Sequence, residues 1–168
     1  QKKQCFATKS GWVLENGALT GNDNPNADPE ILVAIGELAT SIGAADITEI
    51  EFITTAFDVS DGGTLQVRVR FNEAVDVTGT PQLTVVNDSR ANHTLSYASG
   101  TGSNELVFSL TIAAGGGGVI AADDELSIGA NATALNGGTI KDAGTNTAST
   151  ITNAAGVGTA AGTITATA

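Results

Sequence analysis

Phe71–Gly115 reads FNEAVDVTGTPQLTVVNDSRANHTLSYASGTGSNELVFSLTIAAG, and Leu135–Gly144 adds LNGGTIKDAG. Short runs with a period of two are separated by Gly79-Thr80-Pro81, Asn87-Asp88-Ser89 and Gly100-Thr101-Gly102. Side chains alternate across a strand, so this pattern predicts half-buried β-strands joined by tight turns. Leu106, Phe108, Leu110 and Ile112 fall on one side of a strand over 105–112. Just upstream, Leu65, Val67, Val69 and Phe71 alternate with Gln66, Arg68, Arg70 and Asn72. One side of that strand is core, and the other meets water or a partner. Val67, Val69, Phe71, Leu106, Phe108 and Leu110 are therefore expected to face inward across two layers.

Further strands are predicted over 47–57, 82–87 and 93–98, the last carrying Leu95 and Tyr97 inward. Shorter ones follow at 126–128 and 138–140. Gly162–Thr167 is uncharged, Thr-rich and free of Pro. It suits a last polar edge strand at 163–167, paired within its own sheet or to a neighbouring copy. Gly115–Gly118 lacks the Gly-Lys-Ser/Thr ending of a phosphate loop and is expected to be a flexible hairpin tip.

Composition agrees with an all-β chain. The 168 residues include 21 Gly and are 41% hydrophobic but only 4% aromatic. Val, Ile, Leu and Ala must fill the core, and so much Gly would weaken helices by roughly 1 kcal/mol per interior position. A net charge of −11 with only seven basic residues argues against nucleic-acid binding, which needs clustered Lys and Arg. The single cysteine, Cys5, excludes an internal disulfide. No run of 18 apolar residues and no apolar segment behind the N-terminal lysines is present, so neither a membrane span nor a signal peptide is expected.

The first 45 residues differ from the rest. Lys2, Lys3 and Lys9 make an N-terminal basic patch, and Trp12-Val13-Leu14 is a short apolar run. In DPEILVAIGELATSIG (28–43), Asp28 suits an N-cap and Pro29 the first helical position. Ile31, Leu32, Ile35, Leu38 and Ile42 would share one helical face, with Gly43 as the cap. A strand with Ile31, Val33 and Ile35 on one side competes, and Gly36 weakens the helix; helix is the favoured reading. The chain thus divides into a docking arm over 1–45, containing a short helix or strand, and a β-sandwich over 46–168. Lys2, Lys3, Lys9, Trp12, Ile31, Leu32, Ile35 and Leu38 are the candidate partner-binding residues.

Seven or more short strands with frequent turns fit an immunoglobulin-like antiparallel β-sandwich, although the Cys–Trp–Cys signature of antibody domains is absent. NEAVDVTGTPQLTV (72–85), LSYASGTGSNELVFSLTI (95–112) and LNGGTIKDAGTN (135–146) together resemble an Ig-like module. That module occurs in arrays in large bacterial surface proteins and singly in virion proteins of tailed phages, notably those of marine cyanobacteria. The likeness spans roughly Ile47–Thr152. Members of the bacterial arrays usually carry acidic residues in the loop before LNGGTI, where this chain has mostly glycine over Ala113–Val119. GWVLENG (11–17) and EILVAIGEL (30–38) also look like segments that precede such a module in phage capsid-associated proteins. The resemblance implies a capsid decoration or cement protein, with the major capsid protein or another virion protein, and sister copies, as partners. Its alternative is a cell-surface adhesion or matrix module that binds carbohydrate or calcium.

The residues offer little to catalysis. One histidine, His93, gives one imidazole base, and no motif supplies a nucleophile beside it. One Cys and one His do not make a zinc site. Calcium wants several hard oxygens on one loop; Asn22–Asp28, Asp58–Asp61 and Asp123–Glu125 are acidic or amide-rich, but none follows the D-x-[DN]-x-[DN]-G pattern. Their Asn and Asp more simply close turns. No enzyme, cofactor, metal or nucleic-acid partner is expected.

Overall fold

The computed structural model describes residues 43–168 and, ahead of them, Cys5–Thr8, Gly11–Leu14 and Glu30–Ala34. The chain forms two compact units, Gln1–Ile42 and Gly43–Ala168.

In the first unit, β1 (Cys5–Thr8) and β2 (Gly11–Leu14) form a hairpin with Thr8 opposite Gly11 and Cys5 opposite Leu14. The third strand, β3 (Glu30–Ala34), pairs antiparallel with β2. Trp12 faces Val33 but Val13 faces Ile31, so Leu32 is the extra residue of a local register shift. The helix predicted to begin at Pro29 is thus replaced by a strand over Glu30–Ala34. Ile31 and Val33 are β-branched and stiff in the extended form, and β2 supplies a ladder for their main chain. Ile35 and Leu38 lie outside the described residues.

The second unit is built on one long strand. After β4 (Ile47–Phe52) and the short β5 (Phe57–Asp58), β6 runs from Gly63 to Thr78. It continues well past the predicted 65–72, because Val75 and Val77 resume the alternation on the far side of the polar pair Asn72-Glu73. The first half of β6 is flanked by β4 and by β9 (Ser103–Ile112), and its second half by β12 (Thr139–Asp142). Its register with β9 slips between Arg70 and Val75, the place where a strand changes direction.

The remaining strands are β7 (Gln82–Asn87), β8 (His93–Ser99), β10 (Glu125–Ser127), β11 (Thr133–Ala134) and β13 (Ile164–Thr167). Their order is β12-β6-β9-β8-β7-β10-β13-β5, with β4 also on β6 and β11 also on β7. All pairs are antiparallel except β13 with β5. One short helix, α1 (Ala155–Thr159), precedes β13.

The alternation read from the sequence is the alternation of burial. Leu65, Val67, Val69, Phe71 and Val75 of β6 are buried, as are Leu106, Phe108 and Ile112 of β9, Leu95 of β8, and Leu83 and Val85 of β7. Leu110 is only half-buried and packs against this core. Tyr97 is also half-buried, its ring edge-on to Phe108 at 6.2 Å and 74°. Its hydroxyl accepts the Thr101 N–H at 2.9 Å, so the side chain covers the core and holds a turn together.

Two expectations are corrected. The last strand is not a polar edge: β13 lies between β10 and β5, with Ile164 and Ala166 buried. Its two apolar residues sit at alternate positions, enough to draw one face inward. Nor is Gly115–Gly118 a hairpin tip, since β9 and β10 do not pair with each other. All four glycines have positive φ, and Gly116 is buried; a Cβ there would press on Val59 and Ile120. Only glycine turns a chain this way without strain.

Candidate functional site

On the outward side of β6, Arg68 and Arg70 face Glu51 and Glu49 of β4, and Arg70 also faces Glu105 of β9. Arg70 reaches Glu49 at 2.6 Å, Glu105 at 2.8 Å and Glu51 at 3.3 Å; Arg68 bonds Glu51 and reaches Glu105 at 3.3 Å. The Arg70 and Arg68 guanidinium groups hold the Glu105 carboxyl below its usual range, Arg70 chiefly by a hydrogen bond. Each side chain remains roughly a third to a half exposed, so this ladder satisfies a water-facing sheet surface.

A second polar cluster is buried, and it borders a cleft. Asn87 ends β7 and His93 begins β8; both are almost fully buried, as is Asp124 just before β10. Asn87 Oδ1 accepts the N–H groups of Ser89 at 3.0 Å and Arg90 at 2.9 Å. That fixes the amide so that Nδ2 is the donor, toward Asp124 Oδ2 at 3.0 Å and His93 Nε2 at 3.3 Å. His93 Nε2 is therefore an acceptor, and the ring is neutral with its proton on Nδ1. Burial pushes the His93 pKa down, and the Asp124 carboxylate opposes this only in part.

Asp124 Oδ2 also accepts the Ala121 N–H at 3.0 Å and pairs with Arg90 Nε at 3.0 Å. The Asn87 amide is the first cause that holds its carboxyl below the usual range, with Ala121 and Arg90 adding to it against desolvation. These bonds clamp the turn between β7 and β8 to the loop ahead of β10. A further clamp is Asp88 Oδ1, which accepts the Glu125 N–H at 2.9 Å.

The cleft beside this cluster encloses about 750 Å³. Arg90 and His93 line it together with Leu110 and Ile112 of β9 and Gly117 and Val119 of the loop that follows. Val119 is half exposed, an apolar group presented to solvent. The arrangement offers a cation, hydroxyl groups of Ser89, Thr94 and Thr111, and an apolar wall. It can hold a small polar ligand. The histidine lone pair that a general base would use is engaged by Asn87.

The predicted docking residues are distributed as follows. Trp12 lies in β2 opposite Ala7 and Val33, and Ile31 and Leu32 lie in β3. Lys2, Lys3, Lys9, Ile35 and Leu38 fall outside the described residues, as does Asn22–Asp28. Of the other calcium candidates, Asp58 Oδ1 accepts from Ser60 N at 2.8 Å, Ser60 Oγ at 2.6 Å and Asp61 N at 3.3 Å, closing its own turn. Among the described residues no group of three or more His, Cys, Asp or Glu is placed to hold a metal. No helix among them is long and apolar enough to cross a membrane. The Asn87–His93–Asp124 cluster was not foreseen, because Asp124 is remote in sequence and no local spacing links it to the turn. Comparison of the chain with protein-family models, with curated proteins and with solved structures returns no match.

Proposed function

We propose that this chain is a non-enzymatic structural protein of a virion, a decoration or cement protein with an Ig-like sandwich head. The observation that supports it most is the division into a small three-stranded unit and a larger β unit. Three of the seven basic residues lie in the first nine positions, whereas residues 43–168 carry thirteen acidic groups against four basic ones. An acidic head repels its neighbours over about a Debye length, ~8 Å at physiological salt, which keeps copies apart while a separate segment docks them. Lys2, Lys3, Lys9, Trp12, Ile31, Leu32, Ile35 and Leu38 are the proposed contacts, with the major capsid protein or another virion protein as the surface that receives them. The sequence resemblance over 47–152 points to the same role.

The experiment is reconstitution on particles. The full chain should sediment with purified tailed-phage heads lacking it and raise their heat resistance, whereas residues 43–168 alone should stay in the supernatant. Equal binding by the shortened chain would remove the docking role from the first unit. The open cleft at Arg90 and His93 favours a second reading, a cell-surface module that binds carbohydrate. Glycan binding abolished by Arg90→Ala, with no association with particles, would select it.

A further inference from the structure

The strands β8 and β9 are paired at one end and part at the other. Their ladder joins Ser99 to Val107, Tyr97 to Phe108 and Ser96 to Ser109, and stops there. The partners that would come next in that register, Leu95 with Leu110 and Thr94 with Thr111, are not joined. From that point β8 follows β7, with Thr94 opposite Thr84 and His93 opposite Val85. β9 instead follows β6, with Leu110 opposite Leu65 and Ile112 opposite Gly63. The gap between them is the cleft of about 750 Å³, and Thr94 and Thr111 both line it. The divergence also uncovers Leu110, half-buried between the buried Phe108 and Ile112.

Two bonds fix which way the main chain of each strand turns. The Tyr97 N–H donates to the Pro81 carbonyl at 2.8 Å, so Tyr97, Leu95 and His93 turn their main chain toward β7. Alternate residues of an antiparallel strand turn opposite ways, so Ser96 and Thr94 turn theirs toward β9. In β6, the Gln66 carbonyl accepts the Ile53 N–H at 2.9 Å, which turns Gln66 toward β4. Its neighbours Leu65 and Val67 therefore bond Leu110 and Phe108, and Ser109 and Thr111 turn toward β8. Thr94 and Thr111 thus aim open strand edges into one gap. Such an edge is a template for another extended chain.

The lining selects the occupant. Arg90 is the one charged side chain among the described residues that line the cleft, and it is 42% exposed although Asp124 binds its Nε. A cation at the mouth favours a carboxylate. No aromatic ring lines the cleft among the described residues, so a sugar ring has no platform to stack on. The volume is that of a drug-sized ligand, room for about four residues of extended chain. We propose that the cleft receives an extended acidic segment of a partner protein, added as a strand between β8 and β9, with a carboxylate side chain at Arg90. The main chain of that segment bonds Thr94 on one side and Thr111 on the other, as in β-strand addition. An apolar side chain of the segment covers Leu110. This site lies in the larger unit and is separate from the docking role proposed for the first.

Calorimetric titration of the full chain with the capped peptide acetyl-Thr-Val-Thr-Val-Asp-amide tests this. Thr94→Pro removes a donor that faces the cleft and leaves the bonds of His93 and Leu95 to β7, so the chain should keep its melting midpoint. Peptide binding should weaken about tenfold in Thr94→Pro, and about tenfold again when the peptide carries Asn for Asp. In hydrogen exchange the Thr94 and Thr111 amides should exchange fast in the free chain, beside protected Leu95 and Leu110, and slow down with peptide. Absence of binding at millimolar peptide, or full protection of both amides in the free chain, would overturn the proposal. So would binding of glucuronic acid in place of the peptide, which would give the cleft to a carbohydrate. If Thr94→Pro does not fold, a peptide N-methylated along its main chain decides: undiminished binding by it would rule out a strand in the gap.

Discussion

At the scale of single residues, burial ranks the side chains that the alternation alone treats alike. Phe108 is fully buried and stacked edge-on by Tyr97, while Leu110, two positions on, is only half-buried. Phe108→Ala should cost about 3–5 kcal/mol in denaturant unfolding, the lost transfer energy plus the cavity, and Leu110→Ala visibly less. A loss for Phe108→Ala below about 1 kcal/mol would mean the β9 register is wrong. His93 gives a pH signature of its own. It is neutral in the fold and its pKa is pushed below the ordinary 6.5 by burial. As pH falls the unfolded chain takes the proton first, so this stability is full above the ordinary value and declines below it. Unfolding midpoints at about pH 7 and about pH 5.5 should differ more in the wild type than in His93→Gln. Equal differences would place the imidazole in contact with water.

At the scale of elements, pairing partners matter more than the character of each strand. Ile164–Thr167 has the composition of an edge strand, yet it is paired on both sides and the Ala166 N–H donates to the Asp124 carbonyl at 2.9 Å. Proline at 166 removes that donor inside one molecule. Ala166→Pro should therefore lower the melting temperature of isolated monomers as much as that of any assembly. A monomer that kept its midpoint would return β13 to the role of an intermolecular strand. The strand β3 teaches the same lesson from the other direction. Asp28, Pro29 and Glu30 carry good helix-start signals, but Ile31 and Val33 join the β2 ladder, and the ladder decides.

At the scale of the whole molecule, the boundary between units can be tested to within a few residues. Ala45 is completely buried in the core of the larger unit, its carbonyl bonded by Thr150, and Gly43 is held by Thr145. A chain beginning at residue 43 should fold with the Tyr97 signal and stability of the full protein. One beginning at residue 46 should be measurably weaker in the same denaturation experiment. If both behave alike, the contacts of Gly43 and Ala45 contribute nothing to the larger unit. The single tryptophan, Trp12, and the single tyrosine report the two units separately.

The sequence by itself determined the β class, most strand positions and the inward faces of β6 and β9. Those follow from a period of two and from turn residues, which act over a few positions and leave a local trace. Only the tertiary structure decided that β6 runs on through Asn72-Glu73 to pair with β12, that β13 is interior, and that Gly115–Gly118 crosses between distant strands. It also brought Asp124 to Asn87 and His93. Each of these is a meeting of residues far apart in the chain. It depends on which strands become neighbours, and no local spacing of residue types encodes that choice.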